Sequence, residues 1–387
     1  MSISSPRNLS DSDIASLLKT LSEDRLVVAK RHKAEGKKVI GYISNNVPLE
    51  LIDAAGILPV HLAGIPGEST PLADRFLEPA FDPWSRSIFN RLLRGDYDFL
   101  DAIVLPRTHD SFQRLYYYLC EIERSHPEFS LPPIYLLNLL HTDRKSTRNY
   151  NRAQFDDFKA YLSTIGSEIT NQRLSTSIER YNQLRIQLKY FSDLRADRTR
   201  FFSNTLCYQT YAASQSFPVN TAIDVALYAC EQFSEKPDKE RFLRLIVAGN
   251  GLDYPLLHTV LDRHNCLLVG EYHSLGNHFL DTPLINIDDN SDLTDKLVDH
   301  YQLHTISGRS FDSSANNLLD FSHSQQADAV LFHYLLKEEA LAWHYPAQQR
   351  AIVDSGLSTE LMIDQPYQLD VDALTQAIAS LKSKIGG

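Results

Sequence analysis

The chain has 387 residues, of which 43% are hydrophobic and 22% charged, and it carries a formal net charge of −11. That length and apolar content suffice for two ordinary-sized domains, each with its own core. The acidic balance argues against nucleic acid as a partner, because phosphate binding needs a basic surface, and no apolar run approaches the roughly 20 residues that a membrane helix requires.

The start, MSISSPRNLSDSDIASLL, is polar and lacks the apolar core of a signal peptide. Ser10 and Asp11 are placed to cap a first helix to about His32, amphipathic through Ile14, Leu17, Leu18, Leu21 and Leu26. Residues 1–35 thus read as a helical arm. Val39 to Ser44 is an apolar run, Pro48 suits a first helical turn, and Gly56 stops that helix before a second run, Leu58 to Leu62. This is a strand, helix, strand unit, whose crossover makes the strands parallel. Gly64 to Pro83 reads as loop, Trp84 to Arg94 as a helix ended by Gly95, and Leu100 to Leu105 as a third strand followed by PRTHD. Helix Ser111 to Ile122 leads to a fourth strand, Pro133 to Leu139, and then to a basic loop, HTDRKSTR.

Helices Arg152 to Ile165 and Leu174 to Asp197 follow, the second long enough to bridge two halves. Residues 198 to 240 read as irregular and then helical, Asn220 to Phe233. A second alternating region has strands at Leu243 to Ala248, Cys266 to Gly270, Ala329 to Phe332 and Glu360 to Ile363. Its helices are Tyr254 to His264, Asp292 to Leu303, Ser314 to Gln325, Pro346 to Ser355 and Val371 to Ser383. The expected fold is α/β, with two doubly wound Rossmann-like domains of parallel sheets at 36–165 and 241–387, a helical bridge at 166–240, and a cleft between the domains.

Ligands of such sheets gather at the carboxyl ends of strands. Those ends are Ser44 to Asn46, Thr108 and His109, Asn250, Glu271 to His273, and His333 to Glu339. Histidines and carboxylates there fit either a metal site or acid–base chemistry, and they equally fit polar groups bonding in a wet cleft. Gly249 and Gly251 around Asn250 would let a helix start approach a phosphate. Four scattered cysteines, Cys120, Cys207, Cys230 and Cys266, have no paired spacing, as suits reduced thiols and a cytoplasmic protein.

Gly41, Pro48, Glu50, Leu51, Ile52, Ala54, Ala55, Gly56 and Pro59, together with Leu174, Ile178, Tyr181, Asn182 and Arg185 in the long helix, form a pattern that resembles the 2-hydroxyacyl-CoA dehydratase and benzoyl-CoA reductase family. The resemblance extends from about residue 35 to residue 385. It implies a subunit that pairs with a homologous subunit, as heterodimer or homodimer, and binds a CoA thioester or related small acid between its domains. It also implies an ATP-dependent activator protein and a [4Fe-4S] cluster held by cysteines after comparable strands. On a chain this acidic, CoA phosphates would need a local basic pocket, for which Arg144, Lys145 and Arg148 are candidates, although a charged loop is as readily plain surface.

The family's cysteine positions fall on His109 in PRTHD, His273 in EYHSLGNHF, Glu338 in HYLLKEEALAWHYP and Asp82 in FDPWSRS, and none of the four cysteines stands at one. The resemblance therefore implies either a mononuclear iron or zinc held by His109, His273, Glu338 and Asp82 in place of the cluster, or a cluster-free, non-catalytic partner of a cysteine-bearing subunit. Under the first reading Glu338, Tyr272, Asn45 and Asn46 are the candidate catalytic and substrate-orienting residues, and Ser44, Asn250 and Gly251 the cofactor-contacting ones.

Overall fold

The computed structural model describes residues 7–108, 110–142, 144–235, 242–277, 280, 282–287, 292–302, 311–338 and 340–386. It has two four-stranded, all-parallel sheets. The first is built from β1 (Lys38–Tyr42), β2 (Ile57–His61), β3 (Ala102–Pro106) and β4 (Ile134–Leu137) in the order β2-β1-β3-β4. A short antiparallel pair, β5 (Arg200–Phe201) and β6 (Ser234–Glu235), stands apart from both sheets. The second sheet comprises β7 (Leu243–Gly249), β8 (Cys266–Tyr272), β9 (Ala329–Leu335) and β10 (Ser358–Gln365) in the order β10-β9-β7-β8.

Every residue of β2, β3, β8 and β9 is buried. Helices cover both faces of a doubly wound sheet, so its strands read as unbroken apolar runs. Ile40, Tyr42 and Val104 pack on one face of the first sheet with Phe155, Phe158 and Leu162, while Val39, Ile43 and Ile103 pack on the other with Ile88, Phe89 and Leu119. Val247 and Leu331 face Leu261 and Leu374 in the second sheet, and Ile246 and Phe332 face Leu318 and Ile352. Among the described residues no helix is long and apolar enough to cross a membrane.

Some elements differ from expectation. The N-terminal helix is two, Asp11–Glu23 and Val27–Ala34, because the Asp24 carboxylate accepts from the Leu26 N–H at 2.9 Å and turns the chain between them. The expected loop Gly64 to Pro83 contains helix Pro71–Phe76, opened by a proline whose missing N–H costs nothing in a first turn. Helix Lys145–Ile165 begins inside the expected basic loop, and Arg148 is committed to Asp299 at 2.6 and 3.1 Å. The expected irregular stretch after residue 198 holds an additional helix, Asn204–Ser216, before Val219–Glu231, and its residues 236–240 lie outside the described residues. Helix Leu293–Gln302, which stands in the second alternating region of the sequence, packs through Leu297, Val298 and Tyr301 on the core of the first sheet.

Two polar anchors tie the halves together. The fully buried Glu50, on helix Leu49–Ala54, accepts from the Arg185 guanidinium of helix Asn171–Ala196 and from the Tyr301 hydroxyl at 2.7 Å. Asn182, one turn before Arg185, exchanges bonds with the Ile285 backbone at 2.7 and 3.1 Å. Burial works against the Arg185 charge, but Glu50 and Tyr301 more than offset it and raise its pKa. The second anchor is the buried Asp253, which accepts from Trp84 Nε1 at 2.8 Å, from the Gly64 N–H at 3.3 Å and from the Tyr367 hydroxyl.

Removing one member of the buried pair strands a charge, whereas removing both replaces the pair with apolar packing. Arg185→Met should therefore cost about 3–5 kcal/mol, and Glu50→Leu combined with Arg185→Met should recover most of that loss. Urea unfolding midpoints of the two variants against the unaltered chain check this, and a double variant at least as unstable as the single one would contradict it.

Candidate functional site

In each sheet the chain leaves the first strand in one direction and then crosses to its other side, placing a switch point between β1 and β3 and another between β7 and β9. Loops diverge at a switch point and leave a crevice beyond the strand ends. The two crevices face each other and form one cleft with about 840 Å³ of empty space, part of it open to solvent. Ser44 and Asn45 enter it from β1, Thr108 from β3, Asn250 and Gly251 from β7, and Glu338 from the turn after β9. Asp82 and Trp84 line its rim.

Ser44 has a left-handed backbone, φ 62°, which is rare for a residue with a side chain and costs of order 1 kcal/mol. Its hydroxyl lies 3.4 Å from Thr108 Oγ1, bridging the loops after β1 and β3. Asn250 does the same across the second switch point. Its N–H donates to the His333 carbonyl at 2.8 Å, its Oδ1 accepts from the Leu335 N–H at 3.0 Å, and its Nδ2 donates to Glu338 Oε2 at 2.9 Å. The Leu341 N–H binds the other oxygen of Glu338 at 3.0 Å. Glu338 is thus a carboxylate held in place at the cleft wall.

The other sequence candidates are used differently. Asp82 caps helix Pro83–Arg94, accepting from the Ser85 N–H at 2.9 Å and the Ser85 hydroxyl at 2.6 Å. Tyr272 sits in the core of the second sheet, with its ring 6.0 Å from that of Phe321. Asn46 is buried behind Asn45. His273, 2% exposed, does not line the cleft; its Nε2 lies 3.4 Å from Glu271 Oε1, and its Nδ1 accepts from the Leu275 N–H at 3.2 Å. His258 reaches the same Glu271 oxygen at 3.0 Å. Burial raises the Glu271 pKa, but the two imidazoles outweigh it and hold the carboxyl below its usual range. Gly251 is explained by this packing, since a Cβ there would fall 2.4 Å from His273 Nδ1. His109 and Glu339 lie outside the described residues.

Among the described residues no group of three or more His, Cys, Asp or Glu side chains is arranged to hold a metal ion. The cysteines stand apart from the cleft. Cys207 and Cys230 are in the core around the long helix, Cys266 opens β8 with its side chain in a core of the second sheet, and burial pushes these thiols up to about 12, 12 and 11. Cys120, on helix Asp110–Ser125, is half-buried and does not line the cleft. Cys207, Cys230 and Cys266 are poor metal ligands in this state, because the thiolate is the binding form. The donor set of the cleft therefore does not fit a cysteine-ligated cluster.

The sequence reading missed His61, the last residue of β2. It is 2% exposed, lines the cleft beside Ser44 and Asn45, and packs edge-on against Tyr42 at 5.3 Å. Its Nδ1 is buried without a hydrogen-bond partner. Burial, reinforced by the nearby Arg25 charge, drives its pKa well below the ordinary value, so the ring is neutral near pH 7. Its position at the carboxyl end of a strand was the available signal.

A histidine in the unfolded chain titrates near 6.5. Because His61 titrates lower when folded, the unfolded chain takes up the proton first as pH falls, and folding stability declines below about pH 6.5. The contribution approaches about 1.4 kcal/mol per pH unit. His61→Phe should flatten the pH dependence of the unfolding free energy, read from urea unfolding between about pH 6.5 and 5, by up to that amount, and an unchanged slope would show that the ring titrates alike in the folded and unfolded chains.

Comparison with known proteins places this geometry. Over 282 residues the chain is 24% identical to a subunit of the benzoyl-CoA reductase of Thauera aromatica, covering 70% of this chain and 71% of the relative. It is 26% identical over 177 residues to the beta subunit of the (R)-2-hydroxyglutaryl-CoA dehydratase of Acidaminococcus fermentans, covering 46% and 45%. Identity to the beta subunit of the lactoyl-CoA dehydratase of Anaerotignum propionicum is 25% over 208 residues, or 52% of each. The matches thus span about half the length of the last two relatives. The model of the family described as 2-hydroxyglutaryl-CoA dehydratase, D-component, matches residues 44–374. The chain belongs to that family.

Proposed function

We propose that the chain is a subunit of a 2-hydroxyacyl-CoA dehydratase-type enzyme, that its cleft accepts an acyl thioester, and that a homologous, cysteine-bearing partner subunit supplies the iron–sulfur cluster. One observation carries the reading: strand ends from both switch points line a single cleft, where this fold binds ligands. Asn45, Asn250 and Glu338 furnish the polar contacts, and Glu338 is the carboxylate positioned for proton transfer. The relatives are named as subunits, which supports a partner subunit; a heterodimer, an activator protein and a cytoplasmic location belong to the proposal.

The cluster-free reading is favoured over a mononuclear iron or zinc by how the described candidate ligands are used. Both nitrogens of His273, both oxygens of Glu338 and both oxygens of Asp82 already hold protein partners. A metal bound through His273 would have to displace one of its two partners, and among the described residues Glu338 and Asp82 are not grouped with a third ligand. A catalytic metal site instead keeps its ligands oriented by further groups while leaving the ligating atom free.

The test is iron, zinc and acid-labile sulfide content after purification without oxygen or chelators, for the chain alone and co-expressed with a cysteine-bearing homologous subunit. Trace metal on the chain alone, with iron and sulfide in the complex, is the expected outcome. About one iron or zinc per chain without sulfide, lost in His109→Ala and His273→Ala, would establish the mononuclear site instead. Iron with matching sulfide on the chain alone would contradict the cluster-free assignment.

A further inference from the structure

Behind the polar cleft lies a second chamber with about 730 Å³ of empty space, part of it open to solvent. The two chambers share Ser44, Asn45, His61, Ser274 and Leu275, so these residues form the boundary, or neck, between them. Beyond the neck the character changes. Val47, Leu49, Leu184, Leu188 and Leu280 line the inner chamber together with the aromatic rings of Tyr181 and Tyr211.

Among the described residues, the one charged group that lines this chamber, Arg185, is already neutralised by Glu50, whose second oxygen takes the Tyr301 hydroxyl. A further carboxylate brought inside would be desolvated beside an ion pair with no net positive charge. Nothing there would offset the cost of burying it. An apolar group would displace water from an apolar wall and gain by the area it covers.

The neck adds a second observation. Asn45 Nδ2 and His61 Nδ1 are both buried without hydrogen-bond partners. Buried polar atoms left in that state cost roughly 1–3 kcal/mol each, and where they line a cavity a water, an ion or a ligand completes their bonding. Asn45 offers a donor, and a neutral imidazole offers a donor or an acceptor according to its tautomer.

We infer that the inner chamber receives the uncharged, apolar tail of the acyl group, with the acyl carbonyl held at the neck by Asn45 and His61 and the carrier portion of the thioester toward the polar mouth. This rests on the thioester reading above and narrows it to a substrate class, acyl groups with an aromatic or aliphatic end and without a second carboxylate.

The experiment is calorimetric titration of the full chain with 3-phenylpropionyl-CoA and with glutaryl-CoA, two unreactive thioesters sharing one carrier. The phenyl-ended thioester is expected to bind at least about tenfold more tightly, as the gain from burying a ring and the cost of burying a carboxylate together require. Leu188→Trp, which fills the chamber, should abolish that preference while leaving glutaryl-CoA binding within about twofold, and Asn45→Ala should weaken both ligands alike. Equal or tighter binding of glutaryl-CoA would overturn the chamber assignment and leave the thioester reading standing, as would an undiminished phenyl preference in folded Leu188→Trp. Binding of neither thioester would overturn both.

Discussion

The buried contact of Glu50 with Arg185 and Tyr301 is the constraint on which the arrangement depends. It joins the helix between β1 and β2, the long helix Asn171–Ala196, and helix Leu293–Gln302, which belong to three distant parts of the chain. A carboxylate with no exposed surface tolerates little displacement of its partners, because each lost bond leaves a charge unmatched in a low-dielectric interior. The loop from β1 to this helix is therefore held by the same three elements that wall the inner chamber. Asp253 performs a parallel service at the other side of the cleft, where side chains and backbone from both halves converge on one carboxylate.

With the halves so fixed, the cleft follows from topology. Each sheet opens a crevice at its switch point, and polar side chains rather than backbone pairing bridge the diverging loops, Ser44 to Thr108 in one and Asn250 to Glu338 in the other. The result is a graded cavity: carboxylates and amides at the mouth, unpartnered polar atoms at the neck, and aliphatic and aromatic walls inside. Thiols lie elsewhere, and Cys207, Cys230 and Cys266 are buried in cores where they behave as small apolar groups.

Much of this was legible in the sequence, for reasons that differ by element. Parallel strands covered on both faces leave unbroken apolar runs, and Gly56 and Gly95 end helices in left-handed conformations that other residues resist, so both α/β halves could be read directly. Ser44, Asn45, Asn250 and Glu338 were reachable because they follow strands at the end where ligands gather. Side-chain direction was not reachable. Tyr272 and His273 sit at the same strand end, yet one enters the sheet core and the other turns to Glu271, since one step along the backbone reverses the face. His61 ends β2, but the apolar run Leu58 to Leu62 encloses it in the sequence and masks that strand end. The return of helix Leu293–Gln302 to the first sheet, and the pairing of Glu50 with Arg185, rest on contacts between segments more than a hundred residues apart that no local pattern encodes.

Amide hydrogen exchange on the chain with and without a saturating acyl-CoA tests most directly whether the two switch points make one ligand site. The account expects coordinated protection of the loops at 44–47, 249–251, 274–275 and 335–338, which come from both sheets and contribute lining residues to the same cavities. Protection confined to the loops of one sheet, or appearing away from all four segments, would contradict it.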